Sequence, residues 1–189
     1  SARAARRFCS TQHEVPQSAG NRMILEGHSQ GGHAALFAHQ LWPSYAQELG
    51  IKGLIAFAPG SEPQMLAERM AGSETTTLLM PVALSMYALG SYYGAPTDLT
   101  TWLLEPYAAE MPQQAEERCF AGLTAWLGFK PAKVFQADLL QKAAAGQWDE
   151  LQPWQQYLSS STPGNYRSTS PVLIIQGGAD PIVPAAASI

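Results

Sequence analysis

The chain has 189 residues, 46% of them hydrophobic and only 14% charged, with a net charge of −4. That is enough apolar material for one globular domain with a real core. With 11 basic against 15 acidic residues there is no positive surplus to neutralise phosphates, which excludes nucleic-acid binding as the main role.

Residues 1–9 have helical composition, with Arg3, Arg6 and Arg7 on one face, and a loop with Pro16, Ser18 and Gly20 follows. The opening SARAARRF lacks the apolar stretch of a signal peptide and starts with serine, so a processed or truncated chain is expected. Residues 23–25 are a short apolar run suited to a buried strand. The chain then turns over 27–32, and an Ala-, Leu- and Phe-rich helix is expected from Gln30 to about Trp42, stopped by Pro43. IKGLIAFAPG (51–60) reads as a second strand ended by Pro59-Gly60, and PVLIIQGG (171–178) as a third ended by paired glycines. Both are continuous apolar runs without alternation, the pattern of strands covered on both faces. The expected fold is α/β: an open, mostly parallel sheet flanked by helices.

Between the second and third strands lie more than a hundred residues that read as almost wholly helical. Ser61 and Gln64 have capping-box spacing for a helix that fades before Gly72. Further helices are expected around 76–92, 98–109, 112–127, 132–145 and 151–159, with Pro112 and Pro153 at helix starts. One parallel crossover needs one helix, so this insertion is read as a subdomain able to cover the carboxyl edge of the sheet. The expected division is a core of 1–60 and 159–189 and a cap of 61–158. The most apolar segment, LLMPVALSMYAL (78–89), is shorter than the roughly 20 residues of a membrane span and carries Pro81. Cys9 and Cys119 form neither a CxxC nor a metal-ligand pattern; two unpaired thiols are the simpler reading, with a disulfide left open.

The chemistry concentrates in ILEGHSQGG (24–32). Gly27-His28-Ser29-Gln30-Gly31 fits G-x-S-x-G in a strand–turn–helix context, the requirement of a nucleophile elbow. Such a turn lifts the Ser29 hydroxyl above the sheet, at the positive end of the following helix. Glycine is expected at 27 and 31 because a Cβ at either place would clash, and Gly32 would permit a second close approach. GHSQGG matches neither G-x-G-x-x-G nor a P-loop. The backbone N–H of Gln30 would be one oxyanion donor; the other is expected from a loop upstream of Ser1.

A serine needs a base, and the base a third group to orient it. In this arrangement the acid follows the serine, and Asp180, just past the third strand, is the candidate, with Pro181 holding it out of helical geometry. A turn aspartate serving its own loop is the plainer alternative. Asp98, Asp138 and Asp149 fall in the helical insertion. The histidine should come after Asp180, and none does. His13 precedes the strand, His28 sits beside the serine with its side chain expected to point elsewhere, and His33 and His39 lie on the next helix, directed away. The base is therefore expected outside this chain, and the chain alone is expected to be inactive.

These residues resemble the secretory lipase family of bacteria and fungi, within the α/β-hydrolase superfamily. The similar segments are GHSQGGHAALFAHQ (27–40), ELGIKGLIAFAPG (48–60), the helical insertion, PWQQYLSSSTPG (153–164) and PVLIIQGGADPIVP (171–184). The STPG segment together with the cap is what points to this family. The resemblance implies Ser29 as nucleophile, Asp180 as acid and a cap forming the acyl pocket. It further implies hydrolysis of acylglycerols or related lipid esters without cofactor or metal, and an extracellular location. Leu78, Leu79, Met80, Met86, Tyr87, Leu89, Tyr92, Tyr93, Trp102, Leu103 and Trp126 are the apolar candidates for that pocket or for the cap's own core. Gly90, Gly94 and Gly122 are points where the cap could flex, and the cap could touch a lipid interface. An acyltransferase, a peptidase or a non-catalytic lipid-binding relative remain open on the same scaffold.

Overall fold

The computed structural model describes residues 22–94 and 98–188, which fall into two compact units, one containing the residues up to Ser61 and from Pro163 onward, the other Glu62–Thr162. Arg3, Arg6, Arg7, Cys9, His13 and the loop over 16–20 lie outside the described residues.

In the first unit, β1 (Met23–His28), α1 (Gln30–Tyr45) and β2 (Ile51–Phe57) form a parallel β–α–β unit, and β3 (Val172–Ile175) adds on the far side of β2. All pairings are parallel, with the carboxyl ends level: His28 lies opposite Phe57, and Phe57 opposite Ile175. The β1 strand runs through Gly27 and His28, so the turn is narrower than the 27–32 expected and consists of Ser29 alone.

The α1 helix buries Ala35 and Leu36 against Leu54 and Ala56 of β2, while Ala46, Leu49 and Ile51 make a second small cluster with Met23 and Trp42. The Trp42 indole donates to the Leu49 carbonyl at 2.7 Å, tying the end of the helix to the turn that leads into β2. Pro43 does not stop the helix, which continues to Tyr45. A proline this near the end forfeits one backbone bond, and the burial of Ala35, Leu36 and His39 holds the rest. The expectation of strands covered on both faces holds best for the central β2. In β1 burial alternates, and in β3 all four residues are 38–52% exposed. An unbroken apolar run encodes the tendency to be covered; the neighbours present decide whether it is.

The second unit is helical: α2 (Pro63–Ala71), α3 (Leu79–Tyr93), α4 (Tyr107–Glu117), α5 (Phe120–Leu127), α6 (Ala137–Ala144) and α7 (Trp154–Ser160). Several expected boundaries shift. The capping box does not form, because Pro63 starts α2 with Glu62 at its cap, and the Ser61 N–H bonds to the Pro59 and Ala187 carbonyls instead. Pro112 lies inside α4, where buried Ala108 and Met111 outweigh the missing N–H. The helix expected over 112–127 is two, broken at Arg118-Cys119; Cys119 is a free, exposed thiol. The helices expected over 98–109 and 132–145 give way at Leu103 and Phe135 to an isolated antiparallel bridge. The Gln136 side chain fixes that bridge by donating to the Thr100 and Leu103 carbonyls at 3.0 and 3.1 Å. Trp102, Leu103 and Phe135 are almost fully buried there, so packing overrides helix propensity. Among the described residues no helix is long and apolar enough to cross a membrane.

Candidate active site

Ser29 occupies a backbone conformation that L-residues avoid, with φ 55° and ψ −121°. Holding a non-glycine residue there costs on the order of 1–3 kcal/mol and persists only where the surroundings over-determine it. Here they do. The Ser29 N–H donates to the Phe57 carbonyl at 2.8 Å, and its own carbonyl accepts from the His33 N–H at 3.1 Å. Its hydroxyl makes no capping bond to α1, so it is not spent on the helix.

The glycines divide unequally. A Cβ on Gly27 would stand 2.1 Å from the Gly31 carbonyl oxygen, an impossible overlap. At Gly32 it would meet Pro59 at 3.0 Å and the Gly27 carbonyl at 3.2 Å. At Gly31 it would meet nothing within 4 Å, which corrects the expectation that packing demands glycine there. The steric partner of Gly27 is the backbone of Gly31, so one missing Cβ suffices for the pair. The strand–helix approach rests on Gly27 and Gly32. Gln30 is the first residue of α1, and its N–H is among those that a helix start leaves without a helical acceptor.

Asp180 follows β3 on the same carboxyl edge. Its Oδ1 accepts from the N–H groups of Ile182 and Val183 at 2.9 and 3.0 Å, and its Oδ2 lies 3.3 Å from the Gln176 amide nitrogen. The Ile182 and Val183 N–H groups, then the Gln176 amide and the charge of nearby His28, hold this carboxyl below the usual carboxylate range, against the opposing effect of burial. Strands lie about 4.8 Å apart, so the carboxyl ends of β1 and β3, with β2 between them, stand roughly 10 Å apart.

The histidines sort differently from one another. His28 is the last residue of β1, directly before Ser29. His33 packs its ring edge-on to Phe37 along α1. His39 is buried and bonds Tyr166 through Nδ1 and the Ser170 hydroxyl through Nε2, the latter at 2.6 Å. Both partners precede β3, at the amino end of the sheet, so His39 is a structural clamp. Burial pushes its imidazole below the ordinary value and the Tyr166 phenol up. Two aspartates of the helical unit have local partners: Asp98 caps the turn at Thr100 (2.9 Å) and Asp138 pairs with Lys142 (2.9 Å).

Sequence reasoning missed two features of this edge. Ala58, directly after β2, has a positive φ of 41° while its N–H donates to the Ile175 carbonyl at 2.8 Å. Gln176 makes several contacts around Asp180. The Pro after Ala58 was a faint signal for the first; nothing in the sequence marks the second. Within the helical unit, Met86, Tyr87, Gly90, Leu99, Trp102 and Trp154 line a cleft of about 270 Å³. Of the other apolar candidates there, Leu78, Leu79, Met80 and Leu103 are buried in the unit's core, Leu89 and Trp126 pack against it, and Tyr92 and Tyr93 are exposed.

Solved structures share this fold. The rice cell wall degrading esterase LipA from Xanthomonas oryzae superposes with a TM-score of 0.80 at 19% identity, over 98% of this chain and 50% of that one. A putative hydrolase from Legionella pneumophila gives 0.76 at 16% identity, over 97% and 48%. Candida antarctica lipase A gives 0.60 at 20% identity, over 88% and 38%. The chain thus spans about half the length of the first two of these proteins. No curated protein matches it. The family model for secretory lipases matches residues 1–188, and the chain belongs to the secretory lipase family.

Proposed function

We propose that this chain carries the nucleophile and acid of a serine-dependent carboxylic-ester hydrolase acting on acylglycerols or related lipid esters. The observation that carries the reading is the backbone of Ser29, held at positive φ with its hydroxyl uncommitted to the helix it begins. Strain of this kind persists at reacting groups and is selected against elsewhere.

In this mechanism an imidazole removes the Ser29 proton as Oγ attacks the ester carbonyl. The Gln30 N–H donates to the developing oxyanion, helped by the positive end of α1. Collapse expels the alcohol, which takes the proton back from the imidazole, and leaves acyl-Ser29. Water, activated by the same base, releases the acid. Asp180, ionised over a wide pH range, orients the imidazole and stabilises its charged form. The imidazole is proposed to come from outside this chain. His39 is committed to Tyr166 and Ser170, His33 points along α1 toward Phe37, and His28, at the end of β1, precedes the acid instead of following it. The cleft in the helical unit is proposed to lodge acyl chain, and the parent protein to act outside the cell.

A fluorophosphonate probe tests the nucleophile: the full-length protein should be labelled, and Ser29→Ala should not be. p-Nitrophenyl esters of increasing acyl length, run beside peptide substrates, test the substrate class. Preference for peptides would sink the ester reading, and labelling that survives Ser29→Ala would sink the nucleophile.

A further inference from the structure

We propose that Gln176 is the positioning residue that holds the Asp180 carboxylate in place. The inference rests on Asp180 being the acid of the site.

Gln176 is the first residue past β3, and its amide is used at both ends. Nε2 donates to the Val183 carbonyl at 2.8 Å and approaches Asp180 Oδ2 at 3.3 Å. Oε1 accepts from the hydroxyl of Ser188 at 2.6 Å. Ser188 is buried, and its oxygen also lies 3.1 Å from the Pro59 carbonyl, beyond the end of β2. The amide can face only one way. Turned over, it would set Oε1 against the Val183 carbonyl and the Asp180 carboxylate, three acceptors with no proton among them. Gln176 therefore spans from the end of β2 to the acid loop, with a defined orientation.

The division of labour on Asp180 follows. Oδ1 is filled by two backbone N–H groups, which anchor the carboxylate to its own turn. Among the described residues Oδ2 has just the long contact to Gln176, so it keeps lone-pair capacity for an imidazole N–H. The backbone bonds fix where the carboxylate sits, and Gln176 fixes how Oδ2 is rotated about that anchor. It does so from the position directly after β3, while also gripping the loop at Val183.

The test compares Gln176→Met and Gln176→Glu in the full-length protein. Met keeps the length and loses every polar contact. Glu keeps the shape and can still accept from Ser188, but it presents an acceptor and a negative charge to Oδ2 and Val183. We expect kcat to fall about 10- to 100-fold in both, with KM changed less than about twofold, because orientation of a catalytic group affects the transition state alone. The Asp180 carboxyl, followed by NMR titration, should titrate higher in Met than in the parent, and higher still in Glu. A purely packing role predicts that Glu behaves like the parent in both measurements. Unchanged kcat and Asp180 titration in Glu, with Asp180→Asn inactive, overturns the inference alone. Full turnover by Asp180→Asn overturns the reading beneath it as well.

Discussion

The carboxyl edge of the sheet and the helical unit are stabilised by different means. The helical unit holds most of the buried apolar residues, including Trp102, Phe135, Trp148 and Trp154, in one continuous cluster. The sheet unit has two small clusters, and its edge is shaped by backbone: a missing Cβ at Gly27, positive φ at Ser29 and Ala58, and carbonyls spaced by three level strands. The lesson is that apolar bulk supports the fold in one place, while in the other the chain spends stability on geometry.

That contrast can be broken most forcefully in the helical core. Trp102→Ala should cost about 3–5 kcal/mol by chemical denaturation, because a large, fully buried side chain leaves a cavity that its neighbours only partly fill. Trp102→Phe should cost clearly less, since the indole N–H has no hydrogen-bond partner to lose. A tolerated Trp102→Ala would mean that this unit is not held by its core.

At the edge the expected effects are smaller and positional. Gly27→Ala should cost about 1–3 kcal/mol or more, because its Cβ meets backbone that cannot swing aside. Gly31→Ala should be neutral, or stabilising by up to about 1 kcal/mol, as alanine suits a helix better and meets open space. Thermal melts of the pair decide whether sterics act at 27 alone; equal losses would refute that. Ser29→Gly should be more stable than Ser29→Ala by about 1 kcal/mol, since glycine relieves the positive φ and alanine keeps it. Equal melting temperatures for those two would show the turn to be unstrained.

The smallest effects are pH-linked. His39 has a depressed pKa when folded, so the unfolded state binds its proton more readily. The stability this confers is present above about pH 6.5 and is lost as pH falls below it. His39→Asn should flatten the stability profile between pH 7 and 5. Asp180 is depressed as well, and its contribution is present above about pH 3.9 and lost as pH falls toward its folded value. Asp180→Asn should remove that acid-side slope while leaving the neutral range alone; an unchanged slope would contradict the hydrogen bonding described at Oδ1.

Much of this molecule is legible in one dimension. Met23–His28 followed by Ser29 and an alanine-rich helix specifies strand, tight turn and helix by local chemistry, because glycine placement and apolar runs act over a few residues. The turn that carries Asp180 was legible for the same reason, since there an apolar strand ends in glycines and a proline. The elements that slipped are those decided by distant partners. Leu103 and Phe135 pair across the helical unit, and Pro112 stays within a helix because Ala108 and Met111 are buried there. Gly31 resembled Gly27 until the direction of each absent Cβ could be seen.

The sequence by itself determined the strand, turn and helix around Ser29 and the parallel sheet, since each follows from spacing and backbone preference within a short window. Only the tertiary structure decided that the three strand ends stand level, that His39 binds Tyr166 and Ser170 rather than the site, and that Gln176 reaches Asp180 and Ser188. Those facts depend on which residues meet in space, and hydrogen bonds formed across loops leave no period or motif along the chain.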